Sequence, residues 1–344
     1  MSESQQPAQR SAGEMKFSYG GQAVIEGVMM RGARMAAIAV RNPQGQIVVH
    51  EQPLNATLYR GWVAKTPFVR GVVGLWDALG LGTKALMWSA DVAVAEEGES
   101  QSTAFSGALG FATVAISLMV GIGLFFLLPT FAATGIGNLL GISAAEEGQL
   151  YSPLPIGVQA TIINAVEGLV QLGILIIYMS LIGRMEDVKR LFGYHGAEHK
   201  TINAYEAGAE LTPEVVNTFP IEHPRCGTAF LLTVVFVSIF VFSLLGRPPI
   251  LWLIVSRVVL IPVIAGIAYE LLRWSARNAH RPWVRFIIKP NLALQHLTTR
   301  QPDLAMCEVA IVAFKHVLAS EGLISREEAV IPPPQPEAAH AVGN

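Results

Sequence analysis

The chain has 344 residues, 52% of them hydrophobic and only 15% charged, with a positive mean hydropathy. That balance lies outside the range of ordinary soluble domains and predicts an integral membrane protein. The net charge of -2 gives no electrostatic basis for non-specific nucleic-acid binding, so nucleic acid is not an expected partner.

Residues 1–16 are polar and unpatterned, which predicts a disordered N-terminus, and nothing before Lys16 has the apolar core of a signal peptide. Residues 17–66 predict a small β-rich region. GGQAVIEGVMMRG, Gly20 to Gly32, reads as one strand bounded by glycines, and its spacing fits neither the dinucleotide fingerprint nor a P-loop. Met35 to Leu54 holds two β-prone runs around Asn42, Pro43, Gln44 and Gly45, an order that fits a type I turn and hence a hairpin. Gln22, Glu26 and Arg31 are the polar groups of the glycine-bounded strand. Glu26 has two readings, an extra metal ligand or acceptor behind the ligands, and an exposed or ion-paired residue of a small sheet.

Residues 67–104 predict an amphipathic helical region, with Phe68 to Val94 lying on the membrane face or packed on the membrane bundle. Residues 105–274 contain four apolar stretches of spanning length, near Leu109 to Ala132, Val158 to Ile182, Thr228 to Leu245 and Ile250 to Leu272. No Lys or Arg occurs between Lys84 and Arg184, and the loop around Gly135 to Pro155 carries Glu146 and Glu147. Basic residues flank the other ends of the spans, so the positive-inside rule places both termini, and the segment 184–227 between spans two and three, in the cytoplasm.

HGAEHK, His195 to Lys200, opens the chemistry of that segment. On a helix, His195 and His199 lie about 40° apart around the axis with Glu198 beside them, and two imidazoles so placed can share one ion. HPRCG adds His223 and Cys226, which makes His195, His199, His223 and Cys226 the candidate metal ligands and zinc the expected metal. Four ligands would close a structural site, and three would leave a position for water. Glu198 is the candidate catalytic base, while Lys200 and Arg225 are candidate binders of an anionic group. The plain alternative for HPRCG is a Pro-stiffened turn with Cys226 as a small apolar residue.

Inside the spans, Glu167 and Arg257 are costly charges at similar depth. They form either an ion pair that fixes helix orientation or a gate of a small transporter. Residues 275–325 predict cytoplasmic helices. RWSARNAHRPWVRFIIKP mixes cations and aromatics suited to anionic lipid headgroups, and Asp303 to Leu318 is helical, with Pro302 suited to the first turn. The tail, 326–344, is Pro-rich and predicts disorder. Only Cys226 and Cys307 are present, both on the reducing side of this topology, so no disulfide is expected and Cys307 reads as packing.

GGQAVIEGVMMRG, RGVVGLWDALGLGTKAL, YHGAEHKTINAYE, HPRCGTAFLL, AGIAYELLRW and LTTRQPDLAMCEVAI, spread from about Tyr19 to Ala319, resemble the YqhQ-like family. Its members are bacterial membrane proteins of unknown function, described at most as metal-dependent enzymes. The resemblance implies an inner-membrane, multi-pass location and a metal site, and supplies no substrate. The expectation is therefore an α-helical membrane protein of about four transmembrane helices with a small β-containing cytoplasmic N-terminal region. Its expected function is metal-dependent, hydrolytic chemistry at the cytoplasmic face. Two alternatives stand beside it: a non-enzymatic factor whose structural metal recruits a protein partner in membrane-protein biogenesis or scaffolding, and a small transporter. Homo-oligomerisation is compatible with each.

Overall fold

The computed structural model describes residues 19–94, 108–142 and 156–329. The expected disordered N-terminus, the loop with Glu146 and Glu147, and the tail from Val330 lie outside these residues. Four antiparallel strands follow one another as a meander: β1 (Gly20–Val24), β2 (Gly27–Arg31), β3 (Met35–Arg41) and β4 (Ile47–Pro53). The hairpin at Asn42 to Gly45 forms as its turn chemistry predicts, with Gly45 N–H donating to the Asn42 carbonyl and Gly45 at φ 83°.

The glycine-bounded stretch is not one strand but two. Val24 pairs with Gly27 across a tight turn in which Glu26 takes a left-handed φ of 50°. Nothing in Ile25–Glu26 is a turn signal. The conformation is held from outside, because Arg190 donates to both Glu26 oxygens at 2.7 and 2.6 Å.

Ten longer helices follow: α1 (Val69–Val94), α2 (Ala108–Ile122), α3 (Leu128–Leu139), α4 (Ile156–Ile182), α5 (Glu186–Glu206), α6 (Gly227–Leu245), α7 (Ile250–Val259), α8 (Ile261–Arg277), α9 (Pro282–Gln295) and α10 (Leu304–Ser320). One-turn helices lie at Ala56–Tyr59, Trp62–Lys65, Pro213–Val216 and Arg326–Ala329. Three helices are long and apolar enough to cross a membrane: Ala115–Leu139, Gly157–Ile182 and Gly227–Leu245. The bent pair α7–α8 makes a fourth if it counts as one span.

Proline explains both irregularities in these apolar helices. A π-helical turn, Gly123–Leu127, joins α2 to α3 just ahead of Pro129, whose missing N–H and ring prevent a regular hydrogen-bond ladder. The first apolar span consequently runs on to Leu139 instead of ending near Ala132. Pro262, at the second position of α8, accompanies the 45° bend after α7.

The sheet is covered on both sides. Val28, Met30, Ala37 and Ala39 face α5 and α10, and alternate residues Met29, Ala36, Ile38 and Val40 face Leu81, Ala85 and Val92 of α1. The Ala-rich β3 is buried across both faces, which keeps the sandwich thin. The β-region is thus one layer of a body that includes the HGAEHK helix and the C-terminal helix. α1 is neither free at an interface nor wholly on the bundle. Its C-terminal half covers the sheet, and Arg70 near its start pairs with Glu270 of α8.

On α10 the N-cap is Asp303, whose carboxylate accepts the Met306 N–H at 2.7 Å, so Pro302 precedes the helix instead of starting it. Cys307 is fully buried among apolar side chains, and burial pushes its thiol up to about 11.

Close approach of α5 to the segment after α9 depends on Gly196. A Cβ there would lie 2.2 Å from the Arg300 carbonyl oxygen. Gly196→Ala is therefore expected to cost about 1–3 kcal/mol, read as a lower unfolding midpoint in detergent. Gly74→Ala, where an added Cβ meets open space, is the control and is expected to be neutral or mildly stabilising.

Candidate metal centre

Helix α5 starts three residues after α4 ends and carries Glu186 and Asp187 in its first turn, where carboxylates favour the helix dipole. Its motif half is buried between β1 and α10, so every polar side chain there needs a partner. His195 Nδ1 lies 2.8 Å from the Thr298 carbonyl, and His199 Nδ1 hydrogen-bonds the Ile221 carbonyl. A carbonyl only accepts, so in each ring Nδ1 carries the hydrogen, and Nε2 is the nitrogen that has the lone pair when the imidazole is neutral.

Cys226 brings the third donor. It is the N-cap of α6, its Sγ accepts the Thr228 N–H at 3.4 Å, and the same sulfur lies 3.4 Å from His195 Nε2. One ligand atom each from His195, His199 and Cys226 falls within 4.8 Å of the others. Two imidazole nitrogens and a thiolate suit zinc and related cations, and a backbone carbonyl behind each imidazole is the usual means of aiming a ligand.

His223 stands beside this trio. Its ring centroid is 5.6 Å from that of His199, and its backbone is clamped by Gln295, which accepts the His223 N–H and donates to the His223 carbonyl, both at 2.9 Å. Its Nε2 is buried without a hydrogen-bond partner, the closest carboxylate oxygen being Glu206 Oε2 at 4.0 Å. Burial, with help from the Arg225 charge, holds its pKa well below the ordinary 6.5.

Glu198 is 5% exposed, with Oε2 3.9 Å from His195 Nε2. Burial raises its pKa, against the opposing pull of His195 and a hydrogen bond from the Gly21 backbone. The remaining sequence candidates are placed elsewhere. Lys200 is buried and its ammonium donates to the Asn217 and Phe219 carbonyls at 2.6 and 2.7 Å, which commits its charge to tethering the loop before His223. Arg225 pairs with Glu206. Glu26 is held by Arg190, with Tyr194 Oη 3.3 Å away, so it belongs to the turn and not to the trio.

Among the apolar helices, Arg257 Nε and Nη2 donate to Glu167 Oε1 and Oε2 at 2.7 and 2.9 Å. Arg247, Asn164, Thr130 and Thr134 join this cluster, all unassigned from sequence. Gln295, Thr298 and Glu206 were also unassigned, although NAYE and LTTRQPD lie in the matching motifs. His316 contacts Glu51 at 2.7 Å and His296 contacts Glu222 at 3.2 Å.

A family model described as "Protein of unknown function (DUF1385)" matches residues 66–320, a span holding the trio, His223 and the segment that supplies Thr298. The chain belongs to that family. It is also 33% identical over 321 residues to "Uncharacterized protein YqhQ" of Bacillus subtilis (strain 168), covering 90% of this chain and 95% of that protein. No solved structure matches.

The depressed His223 pKa has a definite sign. The unfolded chain takes up a proton near pH 6.5, and the folded chain does so only well below it, so stability present above pH 6.5 is lost as pH falls through the interval. In metal-stripped protein, His223→Leu is expected to flatten the fall in unfolding midpoint between about pH 7.5 and about 5.5. An unchanged slope would assign the proton uptake to another group.

Proposed function

We propose that the chain is a metal-dependent membrane enzyme, hydrolytic in its chemistry, with its centre at the cytoplasmic face. The observation that carries this reading is the shared aim of His195 and His199. Both rings are fixed through Nδ1 to backbone carbonyls, a ligand atom of each lies within 4.8 Å of the other and of Cys226, and the buried Glu198 carboxylate lies 3.9 Å from His195 Nε2. His195, His199 and Cys226 would hold the ion, zinc by donor type, with the unpartnered Nε2 of His223 as a fourth donor. A bound divalent ion supplies Lewis acidity and makes water on it easier to deprotonate. Glu198 would take that proton at Oε2, a role suited to a carboxyl whose pKa burial raises.

The cytoplasmic assignment rests on the cations. The trio lies at the α4 C-terminal and α6 N-terminal ends, which share Arg184, Lys189, Arg190 and Arg225, and the positive-inside rule favours that side. A cavity of about 530 Å³ beside the His223 loop, lined by Arg285, Lys289, Ile288 and Leu292 of α9, suits the headgroup and upper chain of an anionic lipid.

A second reading has its own support. His199 is 1% exposed and Cys226 5% exposed. A closed centre that pins α5 to the start of α6 would serve a non-enzymatic factor that recruits a protein partner.

Elemental analysis of monodisperse, detergent-purified protein separates the two. Near-stoichiometric metal is expected in the wild type and in Glu198→Gln, and is expected to be lost in His195→Ala and His199→Ala. On the enzyme reading Glu198→Gln abolishes function in cells while metal stays bound. Cellular function that survives Glu198→Gln, with unfolding on metal removal, would favour the structural centre. Wild-type protein that takes up no metal even after reconstitution would defeat both.

A further inference from the structure

The polar cluster buried among the apolar helices holds more positive charge than it neutralises. Arg257 and Arg247 both bind Glu167, and among the described residues no other carboxylate contacts either guanidinium. The Arg257 side chain is 1% exposed, and those of Arg247 and Glu167 are 6% and 8% exposed, so solvent screens this excess of one charge poorly. One helix end offsets part of it, since Arg257 sits in the last turn of α7, where the helix dipole favours a cation.

Hydrogen bonding is out of balance in the same sense. Asn164 Oδ1 accepts from Arg247 Nη1 at 3.2 Å and from Arg257 Nη2 at 3.0 Å, which fixes the amide orientation because an NH2 group cannot accept. Asn164 Nδ2 and Arg257 Nη1 are left buried without a partner. Glu167 cannot take them, since its two oxygens already accept from Arg257, Arg247 and the Thr130 hydroxyl. Phe242 covers the Arg257 guanidinium face, 3.7 Å from centroid to Cζ, and contributes no net charge.

We propose that this cluster binds a small monovalent anion of the halide class, held by Arg257 Nη1 and Asn164 Nδ2, with Arg247 supplying the second cation. The two orphan donors belong to groups already in contact, Arg257 Nη2 donating to Asn164 Oδ1 at 3.0 Å. The ligand is small because the guanidinium is buried and its face is occupied by Phe242. Water would satisfy the donors and leave the charge. The Arg257 guanidinium lies against Phe242 of α6, 16 residues and about 24 Å along the helix from Cys226, so the site stands independently of the metal reading.

The test is thermal unfolding of the full-length protein in an uncharged detergent, in sodium chloride and in sodium gluconate at equal concentration. Chloride binding to the folded form is expected to raise the midpoint with chloride concentration, and gluconate is expected to leave it unchanged. Asn164→Asp places a carboxylate at the site and supplies the missing charge. Its midpoint in gluconate is expected to reach that of the wild type in chloride, with the chloride response gone. Should that variant not fold, Arg247→Gln, which makes the cluster neutral, is expected to weaken apparent chloride affinity about tenfold or more. Equal wild-type midpoints in the two salts overturn the proposal, as does a chloride response intact in both variants. A wild type indifferent to chloride that becomes responsive in the Glu146→Gln/Glu147→Gln variant would also overturn it, by assigning the counter-charge to the chain's own loop.

Discussion

Two backbone carbonyls, those of Thr298 and Ile221, decide what the HGAEHK helix can do. Each takes the Nδ1 hydrogen of one histidine, which leaves Nε2 as the nitrogen that each ring can offer a metal beside Cys226. The arrangement needs α5 to lie deep in the body, because carbonyls at the right depth come from segments packed over it. Gly196 permits that approach on one side, and Lys200 and Asn203 hold the loop that carries Ile221 on the other. The sheet completes the burial, with Gly21 of β1 set against the Glu198 side chain.

The fold was legible where chemistry is local. Asn42 to Gly45 announces its turn, long apolar runs announce helices long enough to cross a membrane, and the spacing of His195, His199 and Glu198 announces one helical face. The Glu167–Arg257 pair was legible for the opposite reason, since charge within an apolar run is too costly to stand alone. What escaped the sequence depends on distant segments. The Ile25–Glu26 turn exists because Arg190, far along the chain, grips Glu26 in a backbone conformation that its own neighbours do not favour. The carbonyls behind the histidines were invisible because every residue has a carbonyl, and only packing selects which one is used. Arg247 was passed over because, beside Pro248 and Pro249, it reads as part of a loop; only the tertiary structure turns it inward onto Glu167.

α6 carries the chemistry of both ends of the bundle. Cys226 caps its N-terminus, and the Thr228 N–H donates to the sulfur at 3.4 Å. Just past the other end, Arg247 turns back among α3, α4 and α7 through Thr134, Asn164 and Glu167. The helix is a rigid spacer between two polar clusters, and the apolar length between them is what keeps their chemistry separate.

The distribution of unsatisfied atoms gives this division its physical weight. Buried polar atoms without partners are rare in folded chains and mark places where something is held ready or is still to be bound. Among the described residues such side-chain atoms occur on Arg41, Asn164, His223, Arg225 and Arg257. Asn164 and Arg257 fall in the cluster between the apolar helices, and His223 and Arg225 fall in the loop beside the His–His–Cys trio. Arg257 and His223 lack opposite things. Around Arg257 the surplus is of donors and positive charge, which an anion would meet. At His223 the orphan is a nitrogen kept neutral by burial and a neighbouring guanidinium, which a cation bound by its neighbours would meet.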